Sequence, residues 1–105
     1  MNIYSFEYKN NKYEVASFSM FLNKILSLIY EEDSVKFTNM IFNDNYFKNK
    51  ISNEEFYYNY GKALKTDAGF FINKDNDTNT KIKLLLKVLE KLNIELDEIT
   101  LYLSK

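Results

Sequence analysis

The sequence predicts an α+β domain: an N-terminal β-hairpin, two helices, then a β-α-β crossover, giving a mixed sheet of about four to five strands packed against helices. Three observations carry this expectation. Tyr4, Phe6 and Tyr8 alternate with polar neighbours, as do Tyr13 and Val15, which is the period of a half-buried strand. Phe18, Leu22, Ile25, Leu26 and Ile29 fall on one helical stripe. A buried-strand pattern at 69–73 (GFFIN) is followed by a second leucine-rich stripe and a closing strand.

Residues 4–15 read as a hairpin that turns at Asn10-Asn11, because Asn tolerates positive φ. That turn sets Tyr8 against Tyr13 and Phe6 against Val15 on one face. On the other face Glu7 opposes Glu14 and Lys9 opposes Lys12, with the diagonals Glu7–Lys12 and Lys9–Glu14 offsetting the repulsion. Ser17 is a suitable N-cap for the first helix. Glu31, Glu32 and Asp33 end that helix, and Asp33 or Ser34 caps a shorter second one containing Phe37, Met40 and Ile41.

Between 43 and 68 the pattern weakens. Ser52-Asn53-Glu54-Glu55 has capping-box spacing and Gly61 suits a helix end, so a short helical turn is expected there. The aromatics of the same stretch also suit a strand. Residues 62–66 read as a strand that turns through Asp67-Ala68. Beyond the 69–73 strand, Thr78 or Asn79 caps a helix whose stripe is Ile82, Leu85, Leu86, Leu89 and Leu92, with Asn93 at its C′ position. A strand at 100–103 follows. Strand–helix–strand over so short a distance implies a right-handed crossover between parallel strands.

The 105 residues allow one hydrophobic core, hence one domain spanning 1–105. The chain is 46% apolar and 28% charged, with a net charge of −1. That balance opposes both a broad nucleic-acid surface and an acidic mimic of nucleic acid. Cys, His and Arg are all absent. The sequence therefore has no disulfide, thiolate nucleophile or imidazole base, and no guanidinium fork for phosphate or carboxylate. The expectation is a protein that is not an enzyme and carries no cofactor or metal. No apolar run reaches the roughly 18 residues of a membrane span, and residues 1–8 lack a signal-peptide pattern, so a cytoplasmic protein without membrane contact is expected.

Five clusters are candidate sites. Asp75, Asp77 and Asn79 stand at positions 1, 3 and 5 of a calcium loop, but Thr80 and Leu86 occupy the positions that need Gly and Glu, so a helix-capping loop is favoured. Lys83, Lys87 and Lys91 form a line that could meet phosphate or an acidic protein face, and Glu90 interrupts it; the alternative is a solvated helix face. Glu31-Glu32-Asp33 and Glu54-Glu55 read as charges at helix ends rather than as acid–base pairs. Phe56, Tyr57, Tyr58 and Tyr60 either complete the core or anchor a protein interface. Four rings on one short element cannot all point inward, so at least one or two should be exposed.

Two stretches, 5–30 and 69–103, resemble the small α+β module appended to the C-terminus of bacterial restriction-like and ParB-like nuclease proteins and found in other small defence-associated proteins. The resemblance lies in the aromatic hairpin leading through Ser17-Phe18 into a helix, in the Asn-rich loop entering a Leu-rich helix, and in the closing Asp97, Leu101, Tyr102, Leu103 pattern. It covers about 60 of the 105 residues. The family usually carries Trp where Phe18 stands, and its nuclease motifs lie outside the module. It implies a setting of phage defence or counter-defence. The function expected is a non-enzymatic module that docks on a larger protein, a CRISPR or restriction nuclease effector, and inhibits or modulates it in the manner of an anti-CRISPR protein. The alternative is a nucleic-acid or nucleotide-binding accessory module. Either a monomer or a homodimer through an edge strand fits the sequence.

Overall fold

The computed structural model describes residues 3–58, 61–74 and 76–103, and for Ile3 and Tyr4 the backbone alone. The elements run β1 (Ile3–Tyr8), β2 (Asn11–Glu14), α1 (Phe18–Glu32), α2 (Ser34–Asn43), a 3₁₀ turn (Asn45–Phe47), β3 (Ile51–Ser52), β4 (Tyr57–Tyr58), β5 (Gly61–Lys62), β6 (Leu64–Lys65), β7 (Phe71–Ile72), α3 (Thr78–Lys91), a second 3₁₀ turn (Leu96–Glu98) and β8 (Ile99–Leu103). The strands form three small antiparallel sheets, ordered β2-β1-β8, β3-β7-β6 and β4-β5. The class is α+β, as the sequence predicts.

The hairpin forms, two residues out of the expected register. Phe6 pairs with Tyr13, Glu7 with Lys12 and Tyr8 with Asn11, so the turn is Lys9-Asn10. Both turn residues have positive φ, 49° and 68°. A two-residue turn of this kind matches the twist of the flanking strands, and it sets Glu7 opposite a cation instead of Glu14. A shift of two keeps each side chain on its face. Phe6 and Tyr8 therefore still point into the core, and the ring of Phe6 stacks on Tyr13 with centroids 5.2 Å apart.

Helix α1 begins where the sequence places it, with Ser17 Oγ accepting the main-chain N–H of Met20. Its expected stripe is fully inside, and Phe21 joins it, meeting Phe6 edge-on at 5.0 Å and Phe18 at 5.5 Å. Asp33 caps α2 through the N–H of Lys36. The end of α1 is tied back to the hairpin: Glu32 accepts the Tyr8 hydroxyl and pairs with Lys9 at 2.6 Å. Burial, then the bond to Glu32, pushes the Tyr8 phenol far above its ordinary pKa.

The helix expected after Ser52 is absent. Ser52 Oγ accepts the N–H of Glu54, only two residues on, and Glu55 pairs with Lys62 at 3.2 Å instead of reaching back to close a capping box. The chain bends at Asn53-Glu54 and then enters the antiparallel β4-β5 pair. The strand expected at 62–66 is divided into β5 and β6 by buried Ala63, and the strand at 69–73 is shortened to β7. A tight turn from Thr66 to Gly69 joins β6 to β7, closed by the Gly69 N–H on the Thr66 carbonyl at 3.0 Å. Gly69 adopts φ 104°, a conformation other residues seldom reach. Asn23 and Ser27 of α1 hold this turn by accepting the N–H groups of Asp67 and Ala68.

Helix α3 starts one residue early. Asp77 caps it, its carboxylate accepting the Thr80 N–H at 2.7 Å, in place of Thr78 or Asn79. Its buried face is Leu84, Leu85, Val88 and Leu89, while Leu86 is 43% exposed and Ile82 and Leu92 are half-buried. The run Leu84-Leu85-Leu86 permits more than one apolar face, and packing on α1 selects the one containing Leu84 and Val88. Asn93, at φ 56°, ends α3 as expected: its N–H bonds to the Glu90 carbonyl and that of Ile94 to Leu89.

The final strand lies elsewhere than expected. β7 is flanked on both sides by β3 and β6, so it has no free edge to receive β8. β8 instead runs antiparallel along the open side of β1, pairing Phe6 with Leu101 and Tyr8 with Ile99. No parallel crossover forms among the described residues. One core cluster unites α1, the β1 face, α3 and the anchors Phe37, Phe47, Ile51, Phe70 and Ile72.

Candidate protein-binding site

The aromatic run of the middle region is sorted by strand alternation. Tyr57 pairs with Lys62 and Tyr58 with Gly61 across β4-β5, and the Ala63 N–H bonds to the Phe56 carbonyl to extend the ladder. Period-two geometry puts Phe56 and Tyr58 on one side. Both are half-buried, their rings 6.5 Å apart. Tyr57 points the other way and is 70% exposed. Tyr60 lies outside the described residues. Among the described residues the strand pair thus presents the Tyr57 ring to solvent on a short support whose charged partners, Glu55 and Lys62, neutralise each other.

The lysine line of α3 is dispersed into local contacts. Lys91 pairs with Asp44 at 3.1 Å. Lys87 sits 5.5 Å from the ring centroid of Tyr46, and Lys50 lies 4.6 Å from the same centroid while donating to the Tyr46 carbonyl. Tyr46 is therefore cradled by two ammonium groups, a cation–π arrangement. Lys83 remains exposed. Asp44 is held below the usual carboxylate range by the Tyr46 N–H and then by Lys91. Beside this cluster, Lys36, Asn39, Asn43, Asp44 and Lys91 edge an open hollow of about 270 Å³. Sequence reasoning missed the cradle; the four-residue spacing of Tyr46 and Lys50 was its only local signal.

The carboxylates are likewise engaged separately. Glu32 is held by Tyr8 and Lys9, Asp33 and Asp77 cap helices, and Glu55 meets Lys62. Asp75 lies outside the described residues. Among those described, no three acidic side chains converge as a cation would require. No described helix is long and apolar enough to cross a membrane.

A second exposed apolar feature, which sequence reasoning named only as an edge, is β8. It contributes Leu101, Tyr102 and Leu103, all exposed, with Leu96 just before it. The Tyr102 hydroxyl donates to Glu7 Oε1 at 2.8 Å, which raises its pKa, and Lys12 covers its ring at 4.8 Å. No family model matches this chain, and no curated protein or solved structure matches it either.

Proposed function

We propose that this chain is a non-enzymatic protein-binding module of bacterial defence or phage counter-defence, which docks on a larger nuclease effector and inhibits or modulates it. The observation that carries the reading is Tyr57, 70% exposed on a strand pair whose other described rings, Phe56 and Tyr58, are half-buried. An exposed tyrosine on a supported strand offers large contact area at a small entropy cost, which is why such residues dominate interface energetics. The defence setting rests on the resemblance of residues 5–30 and 69–103. The nucleic-acid alternative draws less support, since Lys87 and Lys91 are already occupied by Tyr46 and Asp44.

The test is binding and inhibition measured against purified CRISPR and restriction nucleases, by calorimetry and by cleavage assay. Micromolar or tighter binding to one of them is expected, and Tyr57→Ala should weaken it on the order of thirtyfold, the scale of an interface anchor. Absence of both binding and inhibition across the set would overturn the reading.

A further inference from the structure

We propose that the edge of β8 left uncovered by every described strand pairs with a second copy of this chain, antiparallel about a two-fold axis at Leu101, joining two three-stranded sheets into one. The hairpin sets the pattern of main-chain bonding across the sheet. In a two-residue turn, the flanking residues Tyr8 and Asn11 exchange both main-chain bonds, and the pattern alternates from there. Tyr8 and Phe6 thus bond to β2, while Glu7 and Ser5 bond to Thr100 and Tyr102 of β8. Ile99, Leu101 and Leu103 then direct their N–H and C=O groups to the open side.

Those three residues are apolar and share one face. A two-fold at Leu101 sets Leu101 against its own copy and Ile99 against Leu103, which makes the edge complementary to itself and allows about six main-chain hydrogen bonds. Charge decides between this edge and the other. β2, at the far side of the sheet, carries Lys12 and Glu14 and is blunted in the way edges usually are. β8 carries no charged residue, proline or glycine, and its own backbone has no bulge; the irregularity lies on β1 between Ile3 and Ser5. Nearby Glu7 is already satisfied by Tyr102 and set opposite Lys12, and the acidic Asp97 and Glu98 fall outside the stretch 99–103 that would pair.

Area sets the strength. The exposed parts of Leu101, Tyr102 and Leu103 amount to a few hundred Å² per copy, below the roughly 1,200 Å² total typical of stable interfaces. The dimer is therefore weak, with a dissociation constant between roughly 10 μM and 1 mM.

Sedimentation velocity over that concentration range tests it, together with hydrogen exchange at the Leu101 and Leu103 amides. Expected are a concentration-dependent dimer and protection of both amides in concentrated solution alone. Leu101→Lys, at a position already 40% exposed, should leave the monomer folded and weaken the dimer about tenfold or more. Tyr57→Ala should leave it unchanged. A monomer at every concentration, a dimer indifferent to Leu101→Lys, or β8 amides protected only when a different protein is added would each overturn the proposal.

Discussion

Between Phe18 and Glu32 a single helix of 15 residues buries Phe18, Phe21, Leu22, Ile25, Leu26 and Ile29 in succession. Between Ile51 and Ile72 the described residues make five strands of two residues each, held inward by Ile51, Ala63, Phe70 and Ile72. The first kind of region, with β1, β2, α3 and β8, is a frame of long elements that support one another. The second is an excursion hung from the frame by a few anchors. Tyr30, Phe37 and Phe70 show the attachment, their ring centroids lying 5.0 to 5.4 Å apart in a triangle contributed by α1, α2 and the turn before β7. The lesson is a division of labour: the frame supplies stability, and the excursion is free to put a side chain such as Tyr57 outside.

The sharpest way to break that contrast is to remove one anchor from each part. Phe21→Ala should cost about 4 kcal/mol in urea unfolding, since its ring meets both Phe6 and Phe18 in a region that cannot collapse around the void. Ile72→Ala should cost less, about 2 kcal/mol, because two-residue strands relax more readily. Its neighbours' amides should also exchange through local openings that leave α1 protected. Equal costs would dissolve the distinction between frame and excursion. Ser17→Ala removes the cap of α1 and should cost about 1 kcal/mol.

Acid probes two carboxylates that lie outside the excursion. Asp77 in the frame is held low chiefly by the Thr80 N–H, and Asp44 by the Tyr46 N–H and Lys91. A depressed folded pKa favours the ionised fold, so this stabilisation is complete above about pH 4 and is lost as pH falls through the folded values. Asp44→Asn and Asp77→Asn should each flatten the acid side of the stability profile, as read from denaturation midpoints at a series of pH values. The smallest effect is expected from Tyr57→Ala, within about 0.5 kcal/mol of the parent protein, although it removes the proposed anchor.

How far each region could be read from its residues follows from element length. The α1 stripe and its Ser17 cap repeat over four turns, so periodicity reports them directly. The hairpin was legible as a hairpin, but both candidate turns contain Asn10, and only the cross-strand charge pairing and twist select Lys9-Asn10. In α3 three consecutive leucines leave the buried face to be chosen by α1. A two-residue strand has no period, so the capping-box spacing at Ser52 suggested a helix that tertiary pairing overrides. The partner of β8 is set by which edges remain open, a property of the assembled sheets and not of residues 99–103. That at least one or two rings of 56–60 must face outward was legible from crowding; that Tyr57 is among them follows from strand alternation, which puts it on the side away from Phe56 and Tyr58.

The pairing of Ile3 with Leu103 has a mechanical consequence. The beginning of β1 and the finish of β8 lie at the same end of an antiparallel pair, so tension applied between these two residues peels the ladder open one rung at a time. Such a zipper resists force far less than a sheared pair of equal length. A protein whose interior is well packed should thus yield first, and at low load, where the start of β1 is clasped to the finish of β8.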